Sequence, residues 1–350
     1  ELAALIGSQT ALSNRNLVIN GAMQVAQRGT SFTGVGNGDS AYYLDRFKFG
    51  ESGSPEGVYT ISQDSNAPNG FGNSMKIDCT TAESALAANE MTRIIYSFEG
   101  QDLQRLKKGT SDAETMTFSF YIKSNLTGTA IVGFYDQDNA RYVAKSYTID
   151  SANTWEKKIL TYPADTTGAF DDDNASSMQF WMFLQAGSDV TSGTLPSTWE
   201  SLTTANYAVG QTINVGSSTS NEILITGVQL EIGEQATPFE HRSFGDELSA
   251  CQRYYQVIGN GAGRAYDATQ AETYQQTQVP LRATNFSLSL NSGVQGHISG
   301  VDGYTLTNVV LSSHSTSNFV ARVTTSGNWN SYIGTVVGFL GSTFICDSEL

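Results

Sequence analysis

The strongest constraint in this chain is a two-residue period that recurs in short runs. Met116-Thr-Phe-Ser-Phe-Tyr-Ile122 puts Met116, Phe118, Phe120 and Ile122 on one face and Thr117, Ser119 and Tyr121 on the other, the pattern of a half-buried strand. Met178–Leu184 repeats it, with Met178, Phe180, Met182 and Leu184 opposite Trp181 and Phe183. Thr129–Tyr135 and Arg141–Ile149 flank Asp136-Gln-Asp-Asn139, which reads as a hairpin turn. Trp155–Tyr162 and Glu222–Glu231 continue the series, and Leu17–Ile19 runs into the turn dipeptide Asn20-Gly21. Within this strand-rich stretch a few minor helical turns are expected near Ala82–Asn89 and Leu103–Lys107. Many short strands between turn residues predict an all-β chain, a jelly-roll β-sandwich over 16–242.

Composition limits the partners. Nineteen Lys and Arg stand against 34 Asp and Glu, for a net charge of −15. That balance repels phosphates and argues against nucleic acid or an anionic membrane surface as partner. No run of about 18 apolar residues offers a membrane span. Ser, Thr, Asn and Gln supply 117 of 350 residues, yet 16 Tyr, 17 Phe and 4 Trp exclude a disordered chain. Cys79, Cys251 and Cys346 are odd in number and far apart, neither a disulfide framework nor a zinc site. Residue 1 is Glu, so the natural start is expected upstream.

Residues 1–15 form an expected helical connector, with Leu2, Leu5 and Leu12 on one stripe too short to stand alone. A second short helix is expected over 243–256, where Phe244, Leu248, Cys251 and Tyr255 recur at helical spacing behind Asp246 and Glu247. Residues 257–350 return to strands and predict a smaller distal β-sandwich. Leu2, Leu5, Leu12, Leu248 and Tyr255 are the candidate contacts between copies.

Two stretches carry a family resemblance. One is Asn16-Leu-Val-Ile-Asn-Gly21 with the later Tyr43-Leu-Asp-Arg-Phe47. The other is Gln229-Leu-Glu-Ile-Gly-Glu-Gln-Ala-Thr-Pro-Phe-Glu-His-Arg242, followed by Cys251-Gln-Arg-Tyr-Tyr255 and Pro280-Leu-Arg-Ala283. Together they resemble fibre and tail structural proteins of tailed bacteriophages, in which such motifs bracket a jelly roll and lead through a helix to a distal β domain. The jelly roll also resembles carbohydrate-binding modules. Met23-Gln24 stands where those modules often carry Phe-Glu, and Thr226-Gly-Val228 where they carry an Asp, so the resemblance implies no inherited calcium site.

No catalytic motif emerges. Gly-x-Ser-x-Gly, HExxH and the phosphate loop are missing from the sequence. Asp171-Asp-Asp173 reads as a solvated acidic loop, and no motif marks a pair of glycosidase carboxylates. His241 reads as a boundary anchor, and His297 and His314 as surface residues. The binding candidates are Trp181, Tyr121 and Tyr135, flat rings with polar edges on the faces opposite the aliphatic residues, suited to stacking on sugars. The bland alternative is that a loop or a sister subunit covers that face. The expectation is a non-enzymatic virion protein, with no cofactor and no metal: a trimeric tail-fibre subunit that joins other virion proteins through its N-terminal end and contributes to attachment to host-surface glycan. A head-fibre or decoration protein, or a carbohydrate-binding module of a secreted protein, are the alternatives.

Overall fold

The computed structural model describes residues 14–259, 262–265, 270–283, 286–290, 295–298, 301–325, 336–340 and 342–350. The expected helical connector, with Leu2, Leu5 and Leu12, lies outside them. The chain divides into two compact units, Glu1–Glu247 with Leu350, and Leu248–Glu349.

The first unit contains, among the described residues, strands β1 (Ser31–Gly36), β2 (Ser40–Leu44), β3 (Phe47–Ser52), β4 (Val58–Asp64), β5 (Ser74–Thr81), β6 (Met91–Glu99), β7 (Met116–Ser124), β8 (Gly128–Asp136), β9 (Arg141–Ile149), β10 (Glu156–Tyr162), β11 (Ser176–Ala186), β12 (Glu200–Ser201) and β13 (Glu222–Ile232). They form two antiparallel sheets. One has six strands in the order β1-β4-β5-β13-β7-β10, the other seven in the order β12-β9-β8-β11-β6-β3-β2. Strands distant in sequence sit side by side, and the expected jelly-roll sandwich results.

The core lies between the sheets and is rich in aromatic rings. Met178, Phe180, Met182 and Leu184 of β11 all turn inward, as their alternation predicts. Phe180 stacks on Tyr96 at 5.4 Å, with 9° between the ring planes, and meets Phe118 at 5.0 Å. Strands β1 to β6 carry a weaker alternation signal, because β6 buries both faces: Ile94, Tyr96 and Phe98 point to the inter-sheet core, Ile95 to a second core outside. The turns expected at Leu103–Lys107 are one helical turn, Gly100–Leu103, and a 3-10 turn, Gln104–Leu106. Ala82–Asn89 holds bends and turns with no helix.

The Asn-Gly dipeptide after Leu17–Ile19 does not close a hairpin. Asn20 takes a positive φ of 62°, and Gly21 presses against β13 where that strand bulges between Thr226 and Gln229. Val228 donates its amide to the Gly21 carbonyl at 2.9 Å. A β-carbon on Gly21 would stand 2.1 Å from the Val228 oxygen, so only glycine permits this approach.

A nine-residue helix, Phe244–Gln252, follows. Ser243 caps it: its hydroxyl accepts the Asp246 amide at 3.2 Å and donates to the Asp246 carboxylate at 2.6 Å. Tyr255, expected on this helix, begins a strand instead, because the helix ends at Gln252 and the chain then pairs as a sheet.

In the second unit, β14 (Tyr255–Gly259), β15 (Ala262–Ala265), β16 (Gln270–Gln276), β17 (Ser287–Leu290), β18 (Gln295–Ile298), β19 (Val301–His314), β20 (Asn318–Thr325), β21 (Val336–Leu340) and β22 (Ser342–Asp347) follow one another. The unit is all-β as expected. Six of the strands close into a barrel, β15-β16-β20-β19-β18-β21, beside a three-stranded sheet, β14-β22-β17. Closure leaves those six strands without open edges, a feature that strand periodicity alone does not encode. Phe286, Phe319, Phe344 and Cys346 are central to its core.

Gly21→Ala is expected to lower unfolding free energy by about 1–3 kcal/mol through overpacking against β13. Denaturant titration of the purified chain checks this; an unchanged midpoint would show that the entry segment does not depend on that contact.

Candidate functional site

The motif residues meet in space. Asn16 receives the amides of Val18 at 2.9 Å and Leu230 at 3.1 Å and donates to the Val228 carbonyl at 3.1 Å. Its own amide donates to Glu240 at 2.7 Å, and Glu240 in turn donates its amide to Gln229 at 2.8 Å. Gln229 donates to Glu231 at 2.7 Å, and Glu231 also accepts from the Thr237 amide at 3.0 Å. Arg242 donates to the carbonyls of Val18 at 3.2 Å and of Asn16, and pairs with Glu247 at 3.4 Å. Glu247 further accepts the Asn20 amide. Asn20 bonds the Asp45 carbonyl at 3.0 Å, and the Asp45 side chain takes the Gln27 amide at 2.7 Å. Arg46, buried, lies 5.0 Å above the Tyr96 ring and donates to the Ser97 carbonyl at 2.6 Å. Asn16 and Arg242 are thus neighbours, and the chain enters and leaves the jelly roll at one corner.

The second unit holds a similar knot. Arg282 donates its amide to the Arg253 carbonyl at 2.9 Å and its Nε to the Ser348 carbonyl at 2.6 Å. Ser348 donates its amide to the Tyr254 carbonyl at 2.7 Å. The Cys251–Tyr255 and Pro280–Ala283 motifs therefore lock the same place.

The three aromatic candidates do not form one platform. Trp181 is only 5% exposed. It points out of the seven-stranded sheet as predicted, but residues of the segment 187–213 cover it: Val190, Leu195, Leu202, Tyr207 and Ala208 complete a second apolar core with Ile95, Ile131, Tyr142 and Phe183. Its ring lies 5.0 Å from Tyr135, 5.6 Å from Tyr142 and 5.2 Å from Tyr207, with the Arg93 guanidinium 4.2 Å above it. The covering segment, rather than solvent, occupies the face. Tyr135 remains partly exposed at its margin. Tyr121 belongs to the other sheet and packs at 5.3 Å on Phe71, which contacts Phe239 and His241 of the exit motif at 5.0 and 5.2 Å. A β-carbon on Gly227 would stand 2.7 Å from the Phe71 ring and 2.9 Å from the Tyr121 ring, so glycine, which also tolerates the positive φ of 60° there, leaves them room. Among the copy-contact candidates, Tyr255 is buried and Leu248 half-buried, so Tyr255 offers no surface to a sister copy.

A buried charge centre escaped the sequence because its members are dispersed. Lys108 Nζ sits among four oxygens: Asp136 at 2.5 Å, Asp165 at 3.1 Å, and the carbonyls of Thr167 at 2.9 Å and Gly168 at 2.8 Å. Phe170 and Trp199 present their rings at 5.1 and 5.3 Å. Arg141 reaches Asp165 at 2.7 Å. Burial opposes ionisation of Asp165, but the bonds from Arg141 and Lys108 outweigh it and hold the carboxyl below its usual range. Two carboxylates and two carbonyls are the donor set of a hard cation, and here the chain's own ammonium fills it.

Asp171, Asp172 and Asp173 are exposed, and the Asp171 amide donates to Asp138 at 3.0 Å. Among the described residues no group of three or more His, Cys, Asp or Glu could hold a metal ion. Cys79, Cys251 and Cys346 are buried and form no disulfide with one another. His314 is exposed with an edge on Phe286 at 5.6 Å; the His297 side chain lies outside the described residues.

No family model and no curated protein matches the chain. Among solved structures it is similar to the enzymatically active domain of tailspike protein 4 of bacteriophage CBA120, with 12% identity and a TM-score of 0.32 over 62% of this chain and 21% of that one. It is also similar to a family 11 carbohydrate-binding module of Clostridium thermocellum in complex with a mixed-linked tetrasaccharide (13%, TM-score 0.29, 59% and 98%). A third is the CBM22-1 xylan-binding domain of Paenibacillus barcinonensis (9%, TM-score 0.28, 59% and 95%). The chain spans about a fifth of the tailspike domain's length.

Lys108→Met is expected to cost about 3–5 kcal/mol at pH 7, since it leaves buried carboxylates without their cation. The depressed Asp165 contributes stability that is present above the unfolded carboxyl value and lost as pH falls through the folded one. The wild type should therefore weaken below about pH 4, and the penalty of the variant should shrink there. Thermal melts at both pH values, with and without chelator, check this; a chelator that lowered the wild-type midpoint would show that a metal, not Lys108, fills the cage.

Proposed function

We propose that this chain is a non-enzymatic structural subunit of a tailed-phage virion, of the fibre type, trimeric, and engaged in attachment to host-surface glycan. One observation carries the reading. Motif residues more than 200 positions apart, from Asn16 to Arg242, close on one another as a single hydrogen-bonded lock. The residues that carry the resemblance to fibre and tail proteins thus act together in this chain. The adjacency of entry and exit suits a module hung from the line of a longer assembly. Threefold association is a common way for such subunits to cover exposed apolar side chains, and repeated copies convert weak sugar contacts into avidity. The exposed Phe244, at 57%, stands at the start of the linking helix, where such contacts are expected.

Light scattering on the purified chain should give three times the mass of 37.6 kDa. Gold-labelled antibody against the distal unit should decorate fibres of intact particles. A stable monomer, or label confined to the capsid lattice, would turn the reading toward a secreted module or a decoration protein respectively.

A further inference from the structure

The outer face of the seven-stranded sheet carries a feature the covering segment leaves partly open. Cross-strand pairing sets Tyr42 opposite Lys48, Lys48 opposite Ile95, and Ile95 opposite Trp181. Arg93 lies two residues along β6 from Ile95 on this same face, which places it diagonal to Lys48, on the order of 7–8 Å away between strands. Lys48 Nζ stands 5.9 Å from the Tyr42 ring centre, where the Arg28 guanidinium also lies at 5.6 Å. Arg93 covers Trp181 at 4.2 Å. Tyr42, Lys48 and Arg93 are each partly exposed.

Neither Lys48 nor Arg93 has a carboxylate within ion-pair distance among the described residues, in a chain with 34 acids and 19 Lys and Arg. The Arg93 guanidinium donates only to the Met91 thioether, a weak acceptor, and its buried Nε has no partner. The carboxylate of β3, Glu51, is taken up by the Gly38 amide at 2.9 Å and the Thr92 hydroxyl at 3.4 Å. Burial lowers Arg93 to about 10, and burial together with the positive charge of Arg93 lowers Lys48. Two neighbouring cations held this way are relieved by an incoming anion. A carboxylate suits the planar guanidinium, whereas Tyr42 is already engaged: Arg28 and Lys48 lie over its ring and its hydroxyl donates to the Leu350 carbonyl at 2.6 Å.

We propose that Lys48 and Arg93 form a subsite for the carboxylate of an acidic sugar, so that the glycan recognised is a polyanionic surface polysaccharide. The inference rests on the attachment reading above and names its ligand class.

The test titrates the full chain with oligomers of glucuronate, galacturonate, mannuronate and sialic acid, each beside its carboxyl-reduced counterpart. At least one acidic series should bind, its reduced form should not, and added salt should weaken it. Lys48→Ala should lower that affinity by about tenfold, as expected for loss of one partner of a charge pair. Lys48→Glu should abolish it. Lys48 is partly exposed, so both variants should keep the wild-type near-ultraviolet dichroism; Arg93→Met, which uncovers Trp181, serves only as a second variant with that spectrum as its control. No binding to any acidic series, equal binding to the reduced oligomers, or affinity unmoved in Lys48→Ala would each overturn the subsite. Binding to neutral sugars alone would overturn it while leaving the attachment reading in place.

Discussion

The bonds that Asn16 makes to β13 hold the first unit's architecture in register. Its amide side chain satisfies the backbone of Val18, Val228 and Leu230 at once, in a place where a buried peptide group without a partner would be costly. Gly21 can then approach the bulge of β13, and Arg242 can bridge the carbonyls of Val18 and Asn16. Because β13 stands inside the six-stranded sheet, between β5 and β7, fixing the entry segment against it ties the first unit's entry and exit segments to the middle of the sandwich. Small shifts there would spread into both halves of the sheet.

The inter-sheet core was legible because its strands obey strict alternation. Met178, Phe180, Met182 and Leu184 bury as a set, and the turn at Asp136–Asn139 joins β8 to β9 as expected. Trp181 shows the limit of such reasoning. Alternation gives the face a residue points to, not what lies above that face. The segment 187–213 has little regular structure and no apolar period, yet Val190, Leu202 and Ala208 roof the tryptophan. Lys108 was invisible for a related reason: Asp136, Asp165, Thr167 and Gly168 lie 28 to 60 residues away in sequence, and only the folded chain brings them round one ammonium.

Charge is distributed unevenly between these places. Lys108, Arg141 and Arg242 all find carboxylates, as partly or fully buried cations must. Lys48 and Arg93, both partly exposed, depart from that rule. The contrast comes from one chain, so overall acidity cannot explain it.

The adjacency of Asn16 and Arg242 has a consequence for descent. A module whose two chain ends meet at one corner can be inserted into, or excised from, a longer polypeptide with little disturbance to its neighbours. Recombination between genomes could then exchange the whole sandwich as a cassette, and the residues of the lock would persist as the seam while the outer sheet faces drifted to suit new surfaces.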